Sequence, residues 1–494
     1  METKGKKSVG FASSFGFIMA AAGSAVGLGN LWGFPYKTAK GGGAAFVIVY
    51  IACVLFLGFI AMLTEMHIGK RAHANPVTAF KKIDKRIGWF GTIAVMIPFF
   101  ITCYYSVLGG WTVKYAVNSF AGNDGIVATF SVNTIEVILF TAIFIGLALV
   151  IIGAGVEDGI EKISKILMPC LFIILVGIVV YSLCLGDGVA EGLAFYLKPD
   201  FSKLTFSTIL LAMGQAFWSL SIGMGILITY GSYCNEEIDL VKSTGMICLF
   251  DTLVALLAGL AIFPAVAHFD ASLLDGSKGV ALMYVILPKV FESMGFAGKI
   301  VSFFFFTMVT IAALTSIISL YEVCTQFVIQ KFHVQRVKSI TAVAVITFLI
   351  SIPVGISLGH VGILEEEGPA LFGLDWLTFF DEVTNTVMMP ICALLGCIAL
   401  GWIIKPENAI KEMRKTGTDI SEGLAKVYAL FVKYITPLLI IIVEIGGIKS
   451  EIEGGNIAVI IAALILMAIS VVVYYAFFIN SETGTNEDEK LIKK

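Results

Sequence analysis

Uncharged apolar segments of about 20 residues recur along the whole chain, and this feature limits its possible folds more than any other. A helix of that length crosses a hydrocarbon core roughly 30 Å thick. Within lipid, only helices and closed barrels satisfy all backbone hydrogen-bonding groups. Hydrophobic residues make up 58% of the sequence and charged residues 14%, which is outside the range of soluble domains. The sequence therefore predicts an all-α polytopic membrane protein.

The apolar segments predict about twelve transmembrane helices. They lie at roughly 11–36, 44–69, 88–121, 134–153, 160–185, 206–230, 244–269, 296–330, 340–358, 372–404, 427–448 and 457–479. Lysine and arginine cluster before the first segment and after the second, eighth and tenth, which is one side of the membrane if the helices alternate. The positive-inside rule makes that side cytoplasmic, together with both termini. No cleavable signal peptide is evident at the start of the chain.

Two of the twelve segments contain glycine and polar residues where a membrane helix is usually continuous. They are GSAVGLGN in the first segment and WSLSIGMG in the sixth. Unwound backbone at membrane depth requires a cavity lined by protein. From the first segment alone the alternative stays open that Gly23 and Gly27 form a small-residue packing face. Interruptions at corresponding positions of two five-helix halves indicate an inverted-repeat transporter with its site near the bilayer midplane.

Four stretches carry a resemblance to a known family: GSAVGLGNLWGFP, GGGAAF, GQAFWSLSIGMGILITYGSY and AALTSIISL. They resemble the first, second, sixth and eighth helices of the neurotransmitter:sodium symporter family, in its bacterial amino-acid transporter branch. The resemblance implies a leucine-transporter-like fold, with a five-plus-five inverted repeat and discontinuous helices 1 and 6. It also implies a division of the chain into a cytoplasmic N-terminal segment (1–10), two repeats (11–186 and 206–404), two extra helices (425–480) and a cytoplasmic tail (481–494).

The same resemblance implies two sodium sites. Site 1, which also touches the substrate, corresponds to Ala25, Asn30, Ser219 and Asp251. Site 2 corresponds to the carbonyls of Gly23, Val26 and Ala312 and the hydroxyls of Thr315 and Ser316. Sodium is a hard cation that prefers such oxygen ligands. For the two hydroxyls of site 2 the alternative is back-bonding to a preceding carbonyl of their own helix.

Asp251 stands where the bacterial leucine transporter of the family has an amide, although bacterial relatives tend to carry an acidic side chain in this neighbourhood. An acid inside an apolar span is costly, which marks it as a functional candidate. The alternative is a buried acid neutralised by a proton or by a lysine. Animal relatives hold chloride nearby, at positions that match Tyr50, Gln215 and Ser219. We therefore expect no chloride requirement, with Asp251 supplying the negative charge instead.

The resemblance implies an amino-acid substrate, because monoamine transporters place an aspartate where this chain has Gly27. The substrate carboxylate is expected near the N–H groups of Leu28 and Gly29, at a helix N-terminus, and near the hydroxyl of Tyr105. The alternative for Tyr105 is an interfacial tyrosine. The remaining contacts are expected from Ala25, Ile101, Trp218, Ser219, Ser221, Met224, Ser316, Ile317 and Leu320. None of these pairs with a charged side chain, which favours a neutral, hydrophobic substrate but leaves leucine-like and aromatic ones open.

The gates of the family are only partly present. The usual outer arginine is Gly33, so the facing acid, Asp381, needs another partner, for which Lys37 or Lys40 is the candidate. On the inner side Ser8, Phe11 and Gln330 stand at the positions of the usual arginine, tryptophan and acid. Tyr105, Trp218 and Tyr233 remain as expected gate residues. Gly159 and Pro169 reproduce a spacing that lets the fifth helix unwind, the alternative being a helix start and a proline kink.

These observations predict a sodium-coupled secondary active symporter that imports a neutral amino acid through a bacterial inner membrane. Two sodium ions are expected. The resemblance also implies that Glu65, an acid within the second helix, binds backbone groups at the break of the sixth helix. The alternative is an amino-acid receptor of the same fold without net transport. No pattern typical of an enzyme, a metal cluster or a nucleic-acid interface occurs. The oligomeric state stays open.

Overall fold

Helices make up nearly all regular structure in the computed structural model of the chain, which describes residues 10–275, 281–358 and 370–480. In this part of the chain the single β-bridge joins Leu371 and Leu374. The prediction of an all-α membrane protein is confirmed.

Ten helical segments are long and apolar enough to cross a membrane. They are Ala44–Ala72, Lys85–Asn118, Thr134–Gly153, Val156–Leu183, Leu240–Asp270, Gly295–Phe332, Arg336–Ser357, Trp376–Ile404, Glu422–Glu453 and Ile457–Phe478. The predicted first span is a bent pair, Ser14–Ala25 and Gly29–Lys40, whose two parts meet at 51°. The predicted sixth span is also divided, into Phe206–Ser219 and Ile226–Ser232. Counting the bent pair as one span gives eleven in the described residues, and the divided sixth segment takes the remaining place in the predicted order of twelve, by which the spans are numbered below.

Short helices connect several of the spans. They are Pro76–Ile83, Ile126–Phe130, Val189–Leu197, Leu287–Ser293 and Pro406–Lys415. The central position belongs to the inner half of the first span, Ser14–Ala25, in which every residue from Gly16 onward is buried. This half-helix packs against the fifth, seventh and eighth spans. A glycine- and alanine-rich surface allows such close approach from several sides.

The break in the first span is narrower than the sequence indicates. The inner helix begins after Ser13, whose hydroxyl accepts a hydrogen bond from Gly16 N–H, and continues through Gly23 to Ala25. Helical structure resumes as a π-helical turn at Gly29–Gly33. Gly23 is helical, and a Cβ atom there would lie 3.2 Å from Met168 Sδ. The packing interpretation is therefore correct for Gly23, and the break itself spans only residues 26–28.

The sixth span is interrupted where its sequence demands left-handed backbone. Between Ser219 and Ile226 the φ angles of Ser221, Gly223 and Gly225 are 55°, 81° and 69°. Glycine adopts such angles readily, whereas the serine at position 221 does so at an energetic cost. At Gly223 a Cβ atom would also lie 2.4 Å from the carbonyl oxygen of Met389, so glycine is required there by space as well. Backbone that leaves the helix at this point faces the break of the first span. The assignment of the two repeats to 11–186 and 206–404 stays a prediction.

Candidate functional site

The two helix breaks border a small cavity. Every residue predicted to touch the substrate lines it, except Leu28 and Ile317. The lining comprises Ser24, Ala25, Gly27, Gly29, Ile101, Tyr105, Trp218, Ser219, Ser221, Met224, Ile226, Ser316 and Leu320. The prediction missed Ser24 and Ile226, although Ser24 lies inside the glycine-rich segment that marked the site. Because none of the lining residues carries a charge, the cavity suits a ligand without a charged side chain.

One end of the cavity is shaped by the absence of a side chain at Gly27. A Cβ atom there would lie 2.5 Å from Ser316 Oγ and 2.8 Å from Tyr105 Oη. Leu28, although not part of the lining, donates its N–H to Tyr105 Oη over 3.2 Å. Tyr105 is buried, which excludes the interfacial interpretation. N–H groups of the first span, the phenol of Tyr105 on the third span and the hydroxyl of Ser316 on the eighth thus surround one small space, a set that can bind a carboxylate.

The opposite wall is apolar and includes one large aromatic ring. The indole of Trp218 lies against the backbone of Gly29, where a Cβ atom would approach Trp218 Nε1 to 2.5 Å. Ile101, Met224 and Leu320 contribute further apolar surface. Glycine at position 29 therefore sets how far the indole withdraws from the centre of the cavity.

Asp251 lies in a buried polar cluster beside the cavity. Asn30 Nδ2 donates to Asp251 Oδ1 over 2.7 Å, and the Ser219 hydroxyl donates to Asp251 Oδ2 over 2.8 Å. Tyr50 Oη adds a third donor at 3.3 Å from Oδ2. All three donors are neutral, and no lysine in the described ranges hydrogen-bonds to this carboxylate. Three of the four predicted residues of sodium site 1 thus meet directly.

Gln215, the third position matched to a chloride ligand, is turned away from the aspartate. Its Nε2 donates to the carbonyl of Gly29 over 2.9 Å, while its buried Oε1 finds no hydrogen-bond partner among the residues that the structure describes. Of the matched chloride positions, Tyr50 and Ser219 contact the Asp251 carboxylate directly. An anion bound by these two residues would occupy the place where the carboxylate lies.

Of the predicted ligands of sodium site 2, Ser316 and Val26 meet where the first and eighth spans touch. The Ser316 hydroxyl lies 3.1 Å from the carbonyl oxygen of Ser24 and 3.4 Å from that of Val26. Thr315 Oγ1 lies 3.0 Å from the carbonyl oxygen of Ala312, as back-bonding within the helix requires. The Ala312 carbonyl is itself a predicted sodium ligand. In this rotamer the Thr315 hydroxyl therefore hydrogen-bonds to another predicted ligand of the same site. The last carbonyls of Ser14–Ala25 have no helical partner, which leaves them available to a cation.

Asp381 lies on the side of the cavity expected to face outward, without the arginine typical of the family. Tyr104 Oη donates to Asp381 Oδ1 over 2.8 Å, and Asn385 Nδ2 also donates to it. Lys37 is half-buried and close enough for its charge to act on Asp381, whereas Lys40 is exposed. At Gly33 a Cβ atom would have only contacts of 3.9 Å, so the missing side chain leaves open space.

A buried network that the sequence did not reveal lies on the side expected to face the cytoplasm. Tyr233 Oη donates to Glu322 Oε1 over 2.6 Å, and Arg336 donates to both carboxylate oxygens of Glu322. An isolated acid in the apolar stretch SLYEVCTQF was the available signal. Phe11 packs its ring against Tyr233, while Ser8 lies outside the described residues. The network joins the sixth, eighth and ninth spans.

Two other predicted inner residues have structural roles. Gln330 accepts hydrogen bonds from the backbone and side chain of Asn75, so it does not join the network around Glu322. Glu65 accepts from Gly223 N–H over 2.8 Å, which confirms the prediction that it binds backbone at the sixth-span break.

Comparisons with known proteins agree with this geometry. The family model described as the sodium:neurotransmitter symporter family matches residues 9–125 and 130–480. The uncharacterized sodium-dependent transporter YhdH of Bacillus subtilis is 34% identical, over 89% of this chain and 97% of the relative. The human sodium- and chloride-dependent GABA transporter 2 is 24% identical, over 68% of this chain and 65% of the relative.

Among solved structures, the crystal structure of MhsT in complex with L-phenylalanine superposes with a TM-score of 0.80. It is 36% identical in sequence, and the alignment covers 89% of this chain and 99% of MhsT. The family model, the relatives and this structure all match along most of the chain rather than in one segment. The chain therefore belongs to the sodium:neurotransmitter symporter family, and it is a multi-pass, sodium-dependent membrane transporter rather than an enzyme.

Proposed function

We propose that this transporter imports a neutral, hydrophobic amino acid together with sodium, by alternating access to the cavity between its two helix breaks. The observation that carries the proposal is the space at Gly27, between Ser316 Oγ and Tyr105 Oη. A ligand that brings its own carboxylate fits this space, whereas an aspartate side chain at position 27 would fill it. The L-phenylalanine bound to MhsT supports the same class of substrate.

We infer two sodium sites from the two clusters of oxygens that border the cavity. Site 1 joins Asn30, Ser219 and Asp251 to the carbonyl of Ala25, next to the expected substrate amino group. Site 2 joins the end of the inner half-helix to Thr315 and Ser316. Two ions carried with a zwitterion across 100 mV supply roughly 5 kcal/mol, which corresponds to more than 10³-fold accumulation. In this proposal Asp251 provides the negative charge that chloride provides in animal relatives.

The proposed setting is a bacterial inner membrane with both termini in the cytoplasm. The distribution of lysine and arginine among the loops supports this orientation. The contacts of Asp381 with Tyr104 and Asn385 then lie on the outer side of the cavity. The Tyr233–Glu322–Arg336 network lies on the inner side. Each would open in turn during the cycle.

The test is uptake of radiolabelled amino acids into proteoliposomes that contain the purified full-length protein. Alanine, leucine, phenylalanine and tryptophan are compared with lysine and glutamate, under an inward sodium gradient and in choline. We expect sodium-dependent accumulation of a neutral hydrophobic amino acid, and its loss in Gly27→Asp, because the new carboxylate occupies the carboxylate space. Saturable binding without accumulation would instead favour the receptor. Accumulation of lysine or glutamate would contradict the proposed substrate class.

A further inference from the structure

A buried glutamate of the fifth span holds the start of the central half-helix. Glu161 Oε2 accepts a hydrogen bond from Ala12 N–H over 2.6 Å, and Glu161 Oε1 accepts one from the Ser13 hydroxyl over 2.9 Å. Glu161 is only 1% exposed. A carboxylate is rarely buried without hydrogen bonds or a charge partner, because its desolvation is costly. Here the N-terminus of Ser14–Ala25 supplies the hydrogen bonds, and its helix dipole favours a negative charge.

The neighbouring residues are shaped to admit this carboxylate. A Cβ atom on Gly16 would lie 2.0 Å from Glu161 Oε1, so any other residue at position 16 would displace the whole carboxylate group. Lys165, one turn further along the fifth span, forms an ion pair with Glu161 at 2.6 Å and is 34% exposed. Lys165 therefore provides the compensating charge through a contact within the fifth span.

The fifth span also touches the other end of the same half-helix. The side chain of Met168 lies against Gly23, with Sδ 3.2 Å from the position of a Cβ atom. Both Glu161 and Met168 fall between Gly159 and Pro169, the pair whose spacing predicts unwinding. In this structure the segment is helical, and the helix begins with a π-helical turn at Val156–Glu161. One short segment thus contacts the half-helix at its first turn and beside its predicted sodium ligands.

We propose that Glu161 is a positioning residue for sodium coupling, which holds the inner half of the first span in the inward-closed arrangement. Loss of the contacts with Ala12 and Ser13 frees the half-helix, whose last carbonyls belong to the proposed site 2. The link to sodium rests on site 2 of the proposed function, whereas the hold on the half-helix does not.

A native cysteine reports on this arrangement. Cys234 follows Tyr233, whose carbonyl accepts a hydrogen bond from Phe11 N–H, and it is 1% exposed. Departure of the half-helix uncovers this part of the sixth span. The experiment measures the rate at which a hydrophilic thiol reagent modifies Cys234 in the purified full-length protein, with and without sodium. Peptide mass spectrometry separates Cys234 from the other cysteines.

Wild type should be protected in sodium, and Glu161→Ala should be modified at least about tenfold faster, because two charge-assisted hydrogen bonds are lost. Gly16→Ala should also raise the modification rate, because the added methyl group displaces the Glu161 carboxylate. This variant tests the contact even if Glu161→Ala fails to fold. Lys165→Ala is the matched control and should stay within about twofold of wild type, since the hydrogen bonds to the first span remain. Glu161→Gln, which retains one acceptor oxygen, should fall between the extremes.

Equal rates in wild type, Glu161→Ala and Gly16→Ala would overturn the proposal. So would an increase in Lys165→Ala as large as in Glu161→Ala, because the effect would then come from the charge of the fifth span alone. Sodium dependence separates this proposal from the proposed function. If sodium did not change the modification rate of Cys234 in wild type, while Glu161→Ala was modified faster, Glu161 would still hold the half-helix but sodium site 2 would be contradicted.

Discussion

Replacement of Asp251 by asparagine tests the central electrostatic argument, because it removes one charge with almost no change in volume. In the folded protein Asp251 accepts hydrogen bonds from Asn30, Ser219 and Tyr50. If this carboxylate replaces chloride, Asp251→Asn should lower the apparent affinity for sodium. Chloride should then restore affinity, since Tyr50 and Ser219 would be free to bind it.

The expected size of the effect follows from the three contacts. A hydrogen bond to a charged acceptor contributes about 1 kcal/mol more than one between neutral groups, so three such bonds correspond to about 3 kcal/mol. An asparagine retains one acceptor oxygen, and its amino group can donate to the hydroxyls that previously donated to the aspartate. The loss therefore lies between about 1.4 and 3 kcal/mol, or roughly 10 to 100-fold in sodium affinity.

The assay is sodium-dependent uptake into proteoliposomes at a series of sodium concentrations, in chloride and in gluconate. Wild type should give the same curve in both anions, whereas Asp251→Asn should need more sodium in gluconate and recover in chloride. Glu65→Gln is the matched control, because it neutralises another buried acid whose contact is the N–H of Gly223. Chloride dependence in wild type, or an unchanged sodium curve in gluconate for Asp251→Asn, would refute the reasoning.

Three further predictions concern the cavity. Tyr105→Phe should raise the KM for the substrate about tenfold, because one hydrogen bond to its carboxylate is lost and Leu28 N–H loses its partner; an unchanged KM would exclude this contact. Trp218→Phe should shift preference toward bulkier aromatic substrates in competition assays, and a shift toward smaller ones would contradict the position of the indole against Gly29. Thr315→Val should weaken the sodium dependence of uptake at constant substrate affinity in saturating sodium, and unaltered sodium dependence would remove Thr315 from site 2.

Much of the architecture could be predicted from local sequence. The membrane spans follow from hydropathy, and each predicted span has a counterpart in the structure. The sixth-span break also follows from local chemistry, because Gly223 and Gly225 adopt backbone angles that other residues avoid. The first-span break was predicted too wide, since Gly23 is helical and serves to let Met168 approach. A glycine shows that close approach or unusual backbone is possible, but not which of the two occurs.

The candidate site was also largely predicted, but through the resemblance to a family rather than through residue chemistry alone. Ser24 and Ile226 were missed, as was the pairing of Glu322 with Arg336. Hydropathy cannot locate such contacts, because a membrane helix is apolar on nearly every face and its pattern carries little information about rotation. An acidic residue in such a helix indicates that it has a polar partner, but the sequence does not identify that partner.

The sequence by itself determined that this chain crosses a membrane repeatedly, that its first and sixth spans are interrupted, and that the cavity between them lacks charged side chains. Only the tertiary structure decided which groups meet: Asp251 with Asn30, and Glu161 with Ala12. The physical reason is the separation in sequence between the interacting residues. Helix formation depends on residues within a few positions of one another, whereas these hydrogen bonds join residues far apart in sequence and require the depth and rotation of packed helices to match within a fraction of an ångström.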